Sequence, residues 1–142
     1  MRIRIGFGYD VHPLVEGRDL WLGGIRIEHP TGLMGHSDAD VLIHALCDAL
    51  LGAANLRDIG FLFPDTEEIF KDIDSTIILD QTMFFVRTAG YKLGNIDGTI
   101  VAEQPKLSPH IPAMKKKLAE LMHVSVNDIS LKATTTDRKS VV

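Results

Sequence analysis

The chain has 142 residues, 45% of them hydrophobic and 24% charged, which is about one domain of ordinary globular composition and excludes a disordered tail. A formal net charge of -4, from 19 acidic against 15 basic residues, argues against a general nucleic-acid binder, which carries a basic face. No apolar run reaches the roughly 18 residues of a membrane span, the N-terminus lacks the apolar block of a signal peptide, and the one cysteine excludes an internal disulfide framework and fits a reducing, cytoplasmic compartment.

Arg2, Ile3, Arg4 and Ile5 alternate with period two and predict a strand over residues 2–9. Leu20–Leu22 and Ile25–Ile27 predict a strand pair turning at Gly23 and Gly24. His36, Ser37 and Asp38 open a helix capped by Ser37 or Asp38, with Val41, Leu42, Ala45, Leu46, Ala49 and Ala53 at helical spacing. Residues 57–74 carry Gly60, Pro64 and several acids without a sustained period, which predicts a long functional loop. Ser75 caps a second helix that runs to about Ala89 and stops at Gly90. Residues 93–102 predict a strand with a weak point at Gly98, Ser108 and Pro109 start a third helix running to about Met122, and Ile129–Thr134 is a final strand. These elements in order predict an α+β single domain, a mixed β-sheet with helices packed on one face.

Asp10 and His12 stand two apart at the end of the first predicted strand, so they project to one side of an extended chain. His44 lies on the first helix, with Asp40 and Asp48 four residues before and after it on the same face. One carboxylate and two imidazoles from two rigid elements make a three-ligand zinc site with an open fourth position, and Asp40 or Asp48 can orient His44 through its second nitrogen. Spacing alone also fits a strand-end turn and a helix histidine satisfied by a neighbouring acid. His36-Ser37-Asp38 at a helix N-terminus offers backbone donors to a phosphate, or serves capping alone.

Gly35 to Ala39 misses the Gly-x-Ser-x-Gly nucleophile elbow at Ala39, and Gly6-x-Gly8 lacks the third glycine of a dinucleotide fingerprint. Lys115, Lys116 and Lys117 read as a solvated face, and Cys47 as a small buried hydrophobe. Thr134, Thr135, Thr136 and Asp137 end the last strand. They read either as β-propensity or as a phosphate contact with Asp137 as an oxygen ligand for Mg²⁺.

Several blocks stand in a fixed order. The first are Gly8-Tyr9-Asp10-Val11-His12, Gly35-His36-Ser37-Asp38-Ala39-Asp40, and the run from His44 to Ala53. Asp58-Ile59-Gly60, Phe63-Pro64-Asp65-Thr66, Gly94-Asn95-Ile96-Asp97, Pro105-Lys106-Leu107, Pro109-His110-Ile111-Pro112 and Lys132-Ala133-Thr134-Thr135-Thr136 follow. Taken in order, these blocks resemble the 2-C-methyl-D-erythritol 2,4-cyclodiphosphate synthase family of the non-mevalonate isoprenoid (MEP) pathway, and the likeness covers nearly the whole chain.

The resemblance implies a cytoplasmic homotrimer with active sites between subunits, acting on a small molecule and on neither nucleic acid nor membrane. It implies a phosphorus-oxygen lyase that cyclises 4-diphosphocytidyl-2-C-methyl-D-erythritol 2-phosphate and releases CMP. Asp10, His12 and His44 would hold Zn²⁺ or another divalent transition metal. His36 and Thr135 match the family's transition-state stabilisers, and Ser37 adds a donor. Asp58, Ile59 and Gly60, with Phe63, Pro64, Asp65, Thr66 and Glu67, would form a mobile loop around the methylerythritol. Ala102, Pro105, Lys106, Leu107 and Ser108 would line a cytidine pocket with Ala133 and Thr134, beside Thr136.

Asp137 stands where the family carries glutamate and would bring Mg²⁺ or Mn²⁺ to the diphosphate. After it the sequence reads Arg138-Lys139-Ser140-Val141-Val142, without the family's Gly-Phe-x-Gly-Arg segment. That departure keeps open a non-catalytic trimeric module that binds metal or isoprenoid, and the metal constellation keeps open a phosphoesterase using metal-bound water.

Overall fold

A computed structural model describes residues 1–64, 66–70 and 72–136 of the chain. Four three-residue strands come first: β1 (Leu14–Glu16), β2 (Leu20–Leu22), β3 (Ile25–Ile27) and β4 (Thr31–Leu33). β2 and β3 form the predicted hairpin, with Gly23 and Gly24 at φ +61° and +79°, the left-handed pair that a tight two-residue turn requires. β1 and β4 pair antiparallel with each other; three residues are too few for alternation to signal either in the sequence. Then come α1 (Val41–Ala53), α2 (Ile59–Leu62), α3 (Ser75–Thr88), β5 (Ile96–Val101), α4 (Ile111–Met122) and β6 (Ile129–Thr134).

Apolar positions at helical spacing build the core. Leu42, Ile43, Leu46 and Cys47 of α1 share one core with Ile78, Leu79 and Met83 of α3, while α4 adds Met114, Leu118 and Met122. β5 and β6 are parallel and in register from Ile96 opposite Ile129 to Val101 opposite Thr134, with α4 as the crossover between them. Their alternate residues Ile96, Ile100, Ile129 and Leu131 are buried. Burial pushes the Cys47 thiol up to about 12, in keeping with its reading as a core hydrophobe.

The α+β single-domain class holds, whereas the sheet differs from the expected one. Among the described residues the strands form three separate two-stranded ladders. The stretch expected as a strand over residues 2–9 has no ladder partner among them, because period-two alternation predicts an extended chain and says nothing of what pairs with it. This stretch lies instead against α1. A Cβ at Gly6 would sit 1.8 Å from the Ala49 carbonyl oxygen, and one at Gly8 1.8 Å from that of Ala45. The Gly-x-Gly spacing therefore serves close backbone-to-helix packing, and Ala45, Ala49 and Ala53 give α1 a seam of small residues to receive it.

The helix starts also differ. α1 begins at Val41, and Asp40 is its cap in place of Ser37 or Asp38. The buried Asp40 carboxylate accepts from the Ile43 amide at 3.1 Å, the Gly23 amide at 3.0 Å and the Gly24 amide at 2.8 Å, so one side chain ties α1 to the β2–β3 turn. Asp74 caps α3 by accepting from the Thr76 amide at 2.8 Å, which leaves Ser75 as the first helical residue. The long loop contains α2 and a 3₁₀ turn at Glu68–Phe70, and another 3₁₀ turn, Ser108–His110, precedes α4.

Three outcomes follow from this packing. Gly8→Ala should destabilise the fold by about 1–3 kcal/mol in urea unfolding, because the added carbon meets backbone rather than a movable side chain. Asp40→Ala strands three amide donors and should cost about 2 kcal/mol or more. Desolvation raises the Asp40 carboxyl above its ordinary 3.8, so above that pH the folded chain holds a proton that the unfolded chain has lost. Stability should therefore fall as pH rises through that window, and Asp40→Asn, measured across the same pH series, should lack this slope.

Candidate active site

Because Gly6 and Gly8 hold the extended segment on α1, the two side chains that follow on the same side arrive beside α1's own histidine. Asp10 Oδ2 lies 3.0 Å from His12 Nε2 and 3.3 Å from His44 Nδ1. The two imidazoles stand edge to face with centroids 6.0 Å apart. One ligand atom from each of Asp10, His12 and His44 falls within 4.8 Å of the others, a spread that a single ion can bridge. The three side chains are partly exposed, which leaves an approach for an incoming oxygen. A hard carboxylate with two imidazoles is a fitting donor set for a divalent transition metal.

His44 is oriented by neither of the aspartates expected for it. Asp40 faces the hairpin amides, and Asp48 accepts from the Ile59 amide at 2.9 Å, where desolvation raises its carboxyl above the ordinary value. The partner of His44 Nε2 is Ser75 Oγ, at 2.9 Å. Ser75 in turn donates its hydroxyl to Asp38 Oδ1, while its amide donates to Asp38 Oδ2 at 3.1 Å. Helical spacing marks neighbours on α1 and has no means of finding a partner 31 residues away.

His36 and Ser37 lie in a loop before α1, so the expected set of helix-terminal amides is not formed at 36–38. Gly35, Ser37 and Ala39 all have positive φ, at +156°, +56° and +53°. Left-handed non-glycine backbone of this kind clusters at functional sites. His36 is exposed there, and Arg18 donates to the Ser37 carbonyl. Arg18, Asp19, Trp21, Ser37 and Asp38 line a small cavity of about 200 Å³ beside this loop.

The expected loop residues meet α1 at Asp48, one helical turn beyond His44. Asp58 caps α2 through the Phe61 amide at 2.9 Å, and Asp48 holds the adjacent Ile59 amide. Gly60, Thr66 and Glu67 are exposed and Pro64 is half-buried. Phe63 packs edge-on against Phe70 and Phe85, with centroids 5.5 and 6.2 Å away, so its ring anchors the loop to α3. Asp65 and Asp137 lie outside the described residues.

A second group collects where parallel β5 and β6 end side by side. The Ala102 amide donates to the Thr134 carbonyl at 3.0 Å, and Thr136 donates to Glu103 at 2.7 Å. Thr134 and Thr135 are exposed there, as is Lys106, with Pro105 half-buried after a cis peptide bond. A groove of about 420 Å³ is lined by Ser108, Ile111, Pro112, Leu131, Lys132 and Ala133. Ser108 and Ala133 were expected at a pocket. Leu107 is 3% exposed and belongs to the core, so its side chain does not line the groove.

Residues 3–142 match the YgbB family. The 2-C-methyl-D-erythritol 2,4-cyclodiphosphate synthase of Parabacteroides distasonis is 69% identical over 138 residues, 97% of this chain and 86% of that protein. A solved synthase structure, bound to CDP, superposes with a TM-score of 0.91 at 41% identity, covering 95% of this chain and 90% of that one. The bifunctional IspDF of Campylobacter jejuni also superposes with a TM-score of 0.91, at 45% identity, over 96% of this chain and 37% of that one. With its Asp-His-His cluster inside a match that runs almost end to end, the chain belongs to the YgbB family.

Proposed function

We propose that the chain converts 4-diphosphocytidyl-2-C-methyl-D-erythritol 2-phosphate to 2-C-methyl-D-erythritol 2,4-cyclodiphosphate and CMP. The observation that carries this reading is the convergence of Asp10, His12 and His44 in a chain so close to named synthases. An oxygen of the substrate's own 2-phosphate attacks the β-phosphorus. The bond from that phosphorus to the bridging oxygen breaks, and CMP leaves with the bridging oxygen and its electron pair. The protein supplies no nucleophile, so its work is positioning and electrostatics.

Asp10, His12 and His44 would hold Zn²⁺, which as a Lewis acid offsets charge on phosphate oxygens. Asp137 would bring Mg²⁺ or Mn²⁺ to the diphosphate. His36 and Thr135 would stabilise the transition state, with Ser37 donating beside His36. Asp58, Ile59 and Gly60, together with residues 63–67, would surround the methylerythritol. Ala102, Pro105, Lys106, Ser108, Ala133 and Thr134 would hold the cytidine, with Leu107 contributing backbone only. The CDP bound by a similar structure and the groove beside Ser108 and Ala133 support that assignment.

The assembly would be a homotrimer whose active sites combine groups from neighbouring subunits. Its support is the outward side of residues 3–11. Ile3, Ile5, Phe7, Tyr9 and Val11 are between 68% and 91% exposed, a continuous apolar stripe of the kind that marks an interface. No helix among the described residues is long and apolar enough to cross a membrane, and we place the enzyme in the cytoplasm.

Phosphorus NMR of the chain with the cytidyl diphosphate substrate, Zn²⁺ and Mg²⁺ should show CMP and a cyclic diphosphate appearing together. His44→Ala should lose bound zinc and cut product formation at least 100-fold, and full turnover by metal-stripped His44→Ala would refute the reading. In sedimentation the chain should run at about three times its 15.7 kDa mass, and Phe7→Lys should shift it toward the monomer.

A further inference from the structure

We propose that Ser75 and Asp38 form a positioning relay that decides which nitrogen of His44 faces the metal. The inference rests on the reading of Asp10, His12 and His44 as a metal site, and it deepens that reading. His44 Nδ1 points at Asp10 and Nε2 at Ser75 Oγ. An imidazole ligates through a nitrogen that carries a lone pair, and a neutral ring has one such nitrogen and one N–H. Position alone does not say which is which, because a serine hydroxyl can donate or accept.

The direction of the Ser75 hydroxyl is settled one step further out. A carboxylate only accepts, so the Ser75 hydroxyl proton must point to Asp38 Oδ1. That leaves Ser75 Oγ as an acceptor for His44. The Asp10 carboxylate also accepts, but Asp10 Oδ2 stands 3.3 Å from Nδ1 against 2.9 Å between Nε2 and Ser75 Oγ, and the shorter contact puts the ring proton on Nε2. Nδ1 then presents its lone pair to the Asp10–His12 cluster. The polarity runs from His44 Nε2–H to Ser75 Oγ–H to Asp38.

Burial and geometry make the relay rigid. Ser75 is 0% exposed, so water does not compete for its hydroxyl. As the first residue of α3 it has a fixed backbone, and its amide grips Asp38 Oδ2 at the same time. Asp38 Oδ1 also accepts from the Asp40 amide at 3.1 Å and from Ser37 Oγ at 3.3 Å. The carboxylate is therefore held from α3 and from its own loop together. Partners of this kind on a ligating histidine typically change metal affinity about 10–100-fold.

Two-bond proton–nitrogen correlation spectra of the full chain, with labelled histidine, test the relay directly. In chelator-stripped protein, at a pH where the ring is neutral, His44 should be the Nε2–H tautomer. With Zn²⁺ added, Nδ1 should coordinate and Nε2 keep its proton. Ser75→Ala preserves the amide grip on Asp38 and should weaken zinc about 10–100-fold in chelator competition, with His44 now populating both tautomers. Ser75→Thr keeps the hydroxyl and should restore the single tautomer, which a merely structural role for Ser75 would not require.

An Nδ1–H tautomer in the stripped wild-type chain, or zinc held through Nε2, would overturn the relay. So would a folded Ser75→Ala with unchanged affinity and the Nε2–H tautomer retained. Should Ser75→Ala fail to fold, the wild-type spectra still decide the matter. Failure of the wild-type chain to take up zinc would overturn the metal reading alone, because the stripped spectrum reads the tautomer independently.

Discussion

The contact between Gly6, Gly8 and the carbonyls of Ala49 and Ala45 is the constraint on which the rest depends. With no Cβ at either glycine, an extended backbone can lie directly on a helix. In such a chain successive side chains point to opposite sides. Asp10 and His12 continue the series that faces α1 and reach His44. Ile3, Ile5, Phe7, Tyr9 and Val11 belong to the other series and face outward. One packing constraint therefore builds the Asp-His-His cluster and exposes the apolar stripe, so the proposed chemistry and the proposed assembly share a single structural cause.

Two carboxylates steady the opposite wall of the site. Asp40 fastens the start of α1 to the β2–β3 turn, and Asp38 fastens the loop before α1 to the start of α3. Beside them the backbone takes left-handed turns, at Ser37 just before Asp38 and at Ala39 between the two. Strain of this order, about 1–3 kcal/mol per residue, persists only where surrounding contacts over-determine it. Here those contacts are the amide bonds to Asp38 and Asp40. Asp58 plays a similar part at α2, while Asp48 holds the neighbouring Ile59 amide from α1. The acids that look from spacing like partners for His44 are largely occupied in holding backbone.

What the sequence made legible follows the range of the physics involved. The β2–β3 hairpin, β6, the body of α1 and the end of α4 were readable because turn residues and apolar periodicity act over a few positions. The sidedness of their segments allowed Asp10, His12 and His44 to converge, and the family likeness, not the spacing, chose a metal site over a turn and a satisfied helix histidine. β1 and β4 are too short to leave a pattern. The cap of α1 fell to Asp40 rather than Ser37 or Asp38 because a tertiary contact with the hairpin amides selects it. The Ser75 partner of His44 lay beyond reach for the same reason, since it joins two helix starts that are distant in sequence. Leu107 was assigned to a pocket on family likeness, while its apolar side chain found a better place in the core. The Gly-x-Gly pair, which fits no nucleotide fingerprint, has its explanation in helix packing.

The central claim is that the nucleophile is the substrate's own 2-phosphate and not water. The most direct test is turnover in water enriched in oxygen-18, followed by phosphorus NMR of the products. The account predicts CMP and a cyclic diphosphate with no isotope-shifted resonance, since no solvent oxygen enters either product. An oxygen-18 shift on any product phosphate, with linear rather than cyclic diphosphate or monophosphate formed, would contradict it and identify a metal-dependent phosphoesterase instead.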